Sequence, residues 1–190
     1  YPSPLKMQSF VFDNTANIEN TLYFWRKTNG VGTAYCTWQA GATVNDPGTF
    51  VTNNNTQSVN PLDVIQTGQG FFVEAKSGAS SLTFKNSQRV ANTAGQFFKT
   101  KQQAAASKIW LNATNAAGDF SQMAVTYNDN ATLGVDRYDG KYINDSAFAL
   151  TSNINNGEYT IQGRPAFDTS DIVAINFKTA SAGDYTIAID

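Results

Sequence analysis

The side chains here that could do chemistry are defined first by a missing type. The chain has no histidine, which removes the commonest general base and the commonest metal ligand together. A Ser-His-Asp or Cys-His nucleophile cannot be assembled, nor can a zinc site that relies on imidazole. The one cysteine, Cys36, has no second thiol to pair with. Its place in the alternating run Ala34-Tyr35-Cys36-Thr37-Trp38 reads as a small core side chain rather than a reactive thiol. Glycoside hydrolysis needs two carboxyls about 5–10 Å apart, and the chain has three glutamates, Glu19, Glu74 and Glu158. Glu74 alternates with Lys76 in a strand-like run, which is the pattern of a solvated face. No catalytic residues are expected, and the chain reads as a non-enzyme.

Two other groupings point to binding. Tyr23, Trp25, Tyr35, Trp38 and Trp110 supply flat rings of the kind that stack on pyranose faces, with Asn, Gln and Asp nearby for the hydroxyls. Trp25, Tyr35 and Trp38 are the candidate glycan-binding set; the competing readings are that such rings fill the core or form a protein interface. In Leu22-Tyr23-Phe24-Trp25-Arg26, alternation puts Phe24 inside and Trp25 outside. The second grouping is acidic: Asn128-Asp129-Asn130 with Asp136, Asp139 and Asp145. Asp129, Asp136 and Asp139 are candidate ligands for a structural calcium, which takes six to eight oxygens. The spacing is not that of an EF-hand, and Asp and Asn are equally at home in turns. No other cofactor is implied.

The elements that must position these residues are strands. Alternation is clear in Thr21–Arg26, Thr33–Gln39, Phe71–Ala75, Lys108–Asn112, Phe120–Tyr127, Tyr159–Gln162, Asp171–Phe177 and Tyr185–Ile189. The stretch from Val64 to Arg89 reads as a hairpin, Phe71–Ala75 returning through the turn cluster Lys76–Ser81 around Gly78 to Leu82–Phe84, and is expected to centre a sheet. Met7–Phe12 reads as a short strand or a turn of helix. Turns are expected at residues 27–32, in a loop from Ala40 to Asn60, at Asn115–Asp119 and at Asn155–Gly157. The run Lys101–Ala106 has the best helix propensity but is too short to stand alone. About ten to twelve short strands at roughly 8–12-residue spacing predict an all-β, antiparallel β-sandwich or jelly-roll-like fold with minimal helix, as one domain over residues 1–190.

Composition narrows the setting. Charged residues make up 15% of the chain and the net charge is -2, which gives no basic footprint for nucleic acid. No apolar run reaches the ~18 residues of a membrane span. No signal peptide is present, so the sequence reads as a processed or trimmed portion of something longer.

The order of several segments resembles a β domain of type IX-secreted Bacteroidetes surface proteins, one that precedes the C-terminal sorting domain. The resemblance is carried by YPSPL (Tyr1–Leu5), TLYFWRKTN (Thr21–Asn29), IQTGQGFFVEA (Ile65–Ala75), FKNSQRV (Phe84–Val90), WLN (Trp110–Asn112) and FSQM (Phe120–Met123). YDGK (Tyr138–Lys141), YTIQGRP (Tyr159–Pro165) and GDYTIAID (Gly183–Asp190) complete it. It implies export by the type IX machinery and an extracellular or cell-surface location, and it implies no catalytic activity. Asp145-Ser146-Ala147 resembles the short O-glycosylation acceptor of that phylum, making Ser146 a glycosylation candidate. The expectation is a non-catalytic structural or adhesive module that contacts neighbouring surface proteins or copies of itself. The alternative is a carbohydrate-binding module of a polysaccharide-degrading protein.

Overall fold

The computed structural model of the chain describes residues 3–27, 33–52, 63–91 and 108–190. In order these hold β1 (Leu5–Lys6), a helix α1 (Met7–Asp13), β2 (Ile18–Lys27), β3 (Thr33–Gln39), β4 (Thr49–Val51), β5 (Val64–Ile65) and β6 (Phe72–Ala75). A 3-10 turn at Asn86–Gln88 follows, then β7 (Lys108–Asn115), β8 (Phe120–Tyr127), β9 (Gly140–Lys141) and β10 (Ala149–Ile154). The last three strands are β11 (Gly157–Arg164), β12 (Ile175–Lys178) and β13 (Tyr185–Ile189). The fold is all-β with minimal helix, as the strand pattern predicts, and it has a few more strands than expected because several are only two residues long. The turn at 28–32, the loop from 53 to 60 and the stretch 101–106 lie outside the described residues. Among the described residues no helix is long and apolar enough to cross a membrane.

The first half builds a four-stranded antiparallel sheet in the order β4-β3-β2-β6. Its inner face carries Ile18, Leu22, Phe24, Cys36, Trp38 and Phe50, and α1 covers that face with Met7, Phe10 and Val11. A seven-residue helix is marginal alone; α1 persists because this face is buried and because its first N–H, on Met7, donates to the Asp63 carbonyl at 2.7 Å. Phe24 is buried and Trp25 is 53% exposed, as alternation predicts.

The expected central hairpin does not form. β6 is an edge strand paired with β2, and residues 79–85 make no strand. The cause is tertiary. The buried Asn14 side chain donates to the Thr83 carbonyl (2.9 Å) and accepts from the Thr83 N–H (2.7 Å), taking both backbone groups that a hairpin ladder would use. Phe84 then stacks on Phe10 of α1, ring centroids 5.0 Å apart.

The second half is a seven-stranded sheet, β12-β10-β11-β8-β7-β13, with β9 added on β11. It contains two hairpins, at the predicted turns. At β7–β8, Asn115 Oδ1 accepts from the Ala117 and Asp119 N–H groups. At β10–β11, Asn155 and Asn156 take φ of +52° and +66° before Gly157, the two left-handed residues of a type I′ turn. One pairing departs from the antiparallel expectation: β11 runs parallel to β8 from Ile161 to Arg164. The start of β11 pairs with β10 instead, so β11 is shared and the sheet folds over at it. β10 and β12 then lie across β8, β7 and β13, enclosing Ala113, Met123, Val125 and Leu150. Phe148, Phe177 and Tyr185 close one end of this sandwich, their ring centroids 5.2–5.7 Å apart.

The two sheets meet where Val51 of β4 packs on Ala124 and Ile161. Around that contact Trp110 Nε1 donates to the Phe50 carbonyl (3.0 Å), and the Thr52 N–H donates to Gln122 Oε1 (3.1 Å). The Gln39 amide donates to the Arg137 carbonyl at 2.6 Å. Polar side chains thus satisfy the backbone groups that the junction buries.

Candidate functional site

Three rings meet on the outer face of the four-stranded sheet. Trp25 of β2 stands directly opposite Tyr35 of β3, ring centroids 5.0 Å apart, and Tyr35 reaches over β2 to Phe72 of β6 at 5.4 Å, edge to face. Phe72 is 57% exposed and Tyr35 half-buried, so the rings form a ridge across three strands with its two ends in solvent. The Asn144 side chain fixes the middle of the ridge, accepting from the Tyr35 N–H at 2.8 Å. At the inner end Tyr23 is buried and donates to the Lys141 carbonyl. Burial, reinforced by the charge of Glu74, pushes its hydroxyl pKa well up, so it stays protonated. Glu74 and Lys141 pair at 3.2 Å beside the ridge and remain half exposed, giving it a polar, electrically neutral border.

Of the candidate glycan-binding set, the structure brings Trp25 and Tyr35 together and removes Trp38. Trp38 is fully buried, and its Nε1 donates to Asp63 Oδ1 at 2.6 Å. Its ring lies flat against Gly48, where a Cβ would come within 2.2–2.3 Å of ring atoms. Phe72 takes the third place. The signal for it was present: in Phe71-Phe72 alternation sends one ring inward and the other out, and Phe71 packs on the core.

The three candidate calcium ligands do not converge on an ion. Asp136 accepts from the backbone N–H of Thr132 and of Tyr138. Asp139 accepts from those of Asp136 (2.7 Å) and Gly163 (2.9 Å). Asp129 sits exposed in a separate turn. These oxygens organise the loop that leads into β9, the turn role open to them at the outset. Among the described residues no three His, Cys, Asp or Glu side chains are grouped to hold a metal. Burial pushes the Asp139 pKa up to about 6 against the lowering effect of its two N–H donors. Ser146 is half-buried in the loop before β10, its Oγ accepting from the Phe148 N–H at 3.2 Å.

A family model described as Domain of unknown function (DUF8693) matches residues 1–190. The chain belongs to this family. No curated protein and no solved structure matches it.

A cavity of about 160 Å³ opens between the two sheets, lined in part by Gln39, Gly41, Asp46, Lys108, Tyr127 and Tyr138. Lys108 donates to the Pro47 and Gly48 carbonyls at 3.1 and 2.9 Å, and burial lowers its pKa against the opposing charges of Asp63 and Asp46. The amine anchors the loop before β4, which holds Gly48 against Trp38. Nothing in the residue types marked it, because the loop and Lys108 are about sixty residues apart in sequence.

Proposed function

We propose that the protein is a non-catalytic, extracellular β module that serves a type IX-secreted surface protein through contact, as a structural or adhesive part. The observation that supports it most is the division of labour among side chains. Asp13, Asp63, Asp136, Asp139 and Asp171 are spent on ties within the fold, while Trp25, Phe72, Phe167 and Ile172 stand more than half exposed among the polar residues of the surface. Glu74, the acid weighed for hydrolysis, is paired with Lys141. The reading is tested on cells of a Bacteroidetes host that carries the type IX machinery. The exported chain is digested by external protease on intact cells, and the purified protein releases no reducing ends from envelope polysaccharide. Digestion only after lysis, or turnover that Glu74→Gln abolishes, contradicts it.

A second reading, a carbohydrate-binding module, is favoured by the Trp25–Tyr35–Phe72 ridge. Its exposed rings offer on the order of 200–300 Å². That is well short of the ~800 Å² per partner of a standard protein interface and suits one or two sugar rings. The neutral Glu74–Lys141 border favours an uncharged pyranose polysaccharide. Affinity electrophoresis in gels containing laminarin, xyloglucan, galactomannan or starch tests it. Retardation in at least one gel, lost in Trp25→Ala and in Phe72→Ala, supports the reading; no retardation in any of them removes it.

A further inference from the structure

Among the described residues the folded-over sheet has an uncovered place for one more strand. In its lower layer Tyr185, Ile187 and Ile189 of β13 share one face by alternation, and Tyr185 shows which way it points, toward Phe177 of β12 in the upper layer. Of the three, Tyr185 packs against a ring of β12. Ile187 and Ile189 face the same interior and are left 45% and 75% exposed. A strand added beside β12 would lie over them. Among the described residues no strand does so, since β12 ends the sheet.

The backbone of β12 is ready for such an addition. The Asn153 N–H donates to the Ala174 carbonyl, and the register continues as Thr151 opposite Asn176 and Ala149 opposite Lys178. Residues 174, 176 and 178 therefore turn their backbone groups to β10, and Ile175 and Phe177 turn theirs to the open side. The edge carries no proline, bulge or inward charge, the usual devices that blunt it. Beside it Ile172, Ile175 and Phe177 are exposed as well.

We propose that this edge is a self-association site, at which two copies of the chain pair their β12 strands antiparallel about Asn176 and so complete each other's sandwich. The inference deepens the contact-module reading and rests on it. In this register Ile175 lies opposite Phe177 of the second copy, on the face where each is already directed inward. Lys178 meets Ala174, so no like charges oppose. The other open edge fits a second copy poorly: β13 paired with itself about Ile187 sets Asp184 against Asp190. The apolar surface covered is several hundred Å² per copy, the size that marks interaction sites. With the edge backbone it approaches the ~800 Å² per partner of a standard interface. A twofold axis at Asn176 makes the contact closed and isologous.

Sedimentation equilibrium of the purified chain from about 1 to about 500 µM tests this. The wild type is expected to form a dimer with a micromolar dissociation constant. Ile175→Pro removes an N–H that faces the open side and costs no ladder bond to β10. Ile189→Lys leaves β12 intact and charges the uncovered row. Each is expected to weaken the dimer at least about 30-fold, a change of about 2 kcal/mol, with the melting curve of the monomer retained in Ile189→Lys. A wild type that stays monomeric throughout overturns the proposal, as does a dimer unaffected by both substitutions. A monomer still accessible on intact cells and without turnover overturns the pairing alone, whereas a dimer confined inside the cell overturns the contact reading alone.

Discussion

Asp139 is the side chain whose titration should be visible in the whole protein. Its folded pKa of about 6 lies above the ordinary carboxylate value of 3.8, so between those values the native state holds more protons than the unfolded chain. Stability contributed by this group therefore falls as pH rises through that window. The penalty is fully present above about pH 6 and relieved toward pH 4, on the order of 3 kcal/mol for about two units. In urea melts the wild type should gain stability relative to Asp139→Asn between pH 6.5 and 4.5; a constant difference would show that burial does not raise this acid. Asp171 acts in the opposite sense. Its bond from Arg164 holds its pKa down, and that stabilisation is lost only as pH falls below the ordinary carboxylate range. At the same scale Gly48→Ala forces a methyl into the Trp38 ring and should cost about 1–3 kcal/mol or more, read as a lower urea midpoint with an unchanged slope. Residue-scale roles were legible where alternation decided them: Phe24 in, Trp25 out. Trp38 shares the phase of Cys36 and is therefore a core ring, although its residue type matches the surface rings. Which acids would tie turns to distant strands, as Asp139 does to Gly163, is fixed by tertiary contact and has no local signature.

Elements were legible where both partners lie close in sequence. The β7–β8 and β10–β11 hairpins follow from alternation plus Asn and Gly turns, because the turn residues set the register. The stretch 71–84 carries the same signals and does not make a hairpin. The deciding group, Asn14, lies about seventy residues upstream, and its amide satisfies Thr83 better than an edge ladder in solvent would. Asn14→Ala should therefore cost about 2–3 kcal/mol, the loss of its three hydrogen bonds to Phe10 and Thr83 at about 1 kcal/mol each. The Thr83 amide should exchange with solvent much faster while those of β7 and β8 keep their protection. Uniform exchange across both regions would show that residues 79–85 are held by something other than Asn14. The sharing of β11 between antiparallel β10 and parallel β8 could not be read locally either, since about thirty residues separate β8 from β11 and the turns between them set only local pairings.

At the scale of the molecule, short alternating strands at regular intervals with Gly and Asn turns were enough to give an all-β fold. They were not enough to give its division into a four-stranded sheet under α1 and a folded-over seven-stranded sheet. At the seam between the two sheets β4, β8 and β11 bury Val51, Ala124 and Ile161 against one another, apolar residues of types that recur in most of the other strands. The proposed function lies on the outward surface of this body, where the Trp25–Tyr35–Phe72 ridge suits a surface glycan. The most direct measurement is retention of the fluorescently labelled protein on intact cells that export it, comparing the wild type with Trp25→Ala/Phe72→Ala. Saturable retention of the wild type, reduced at least about tenfold in the double variant at an unchanged melting temperature, is the predicted result. Equal retention of the two proteins, or none for the wild type, would contradict it.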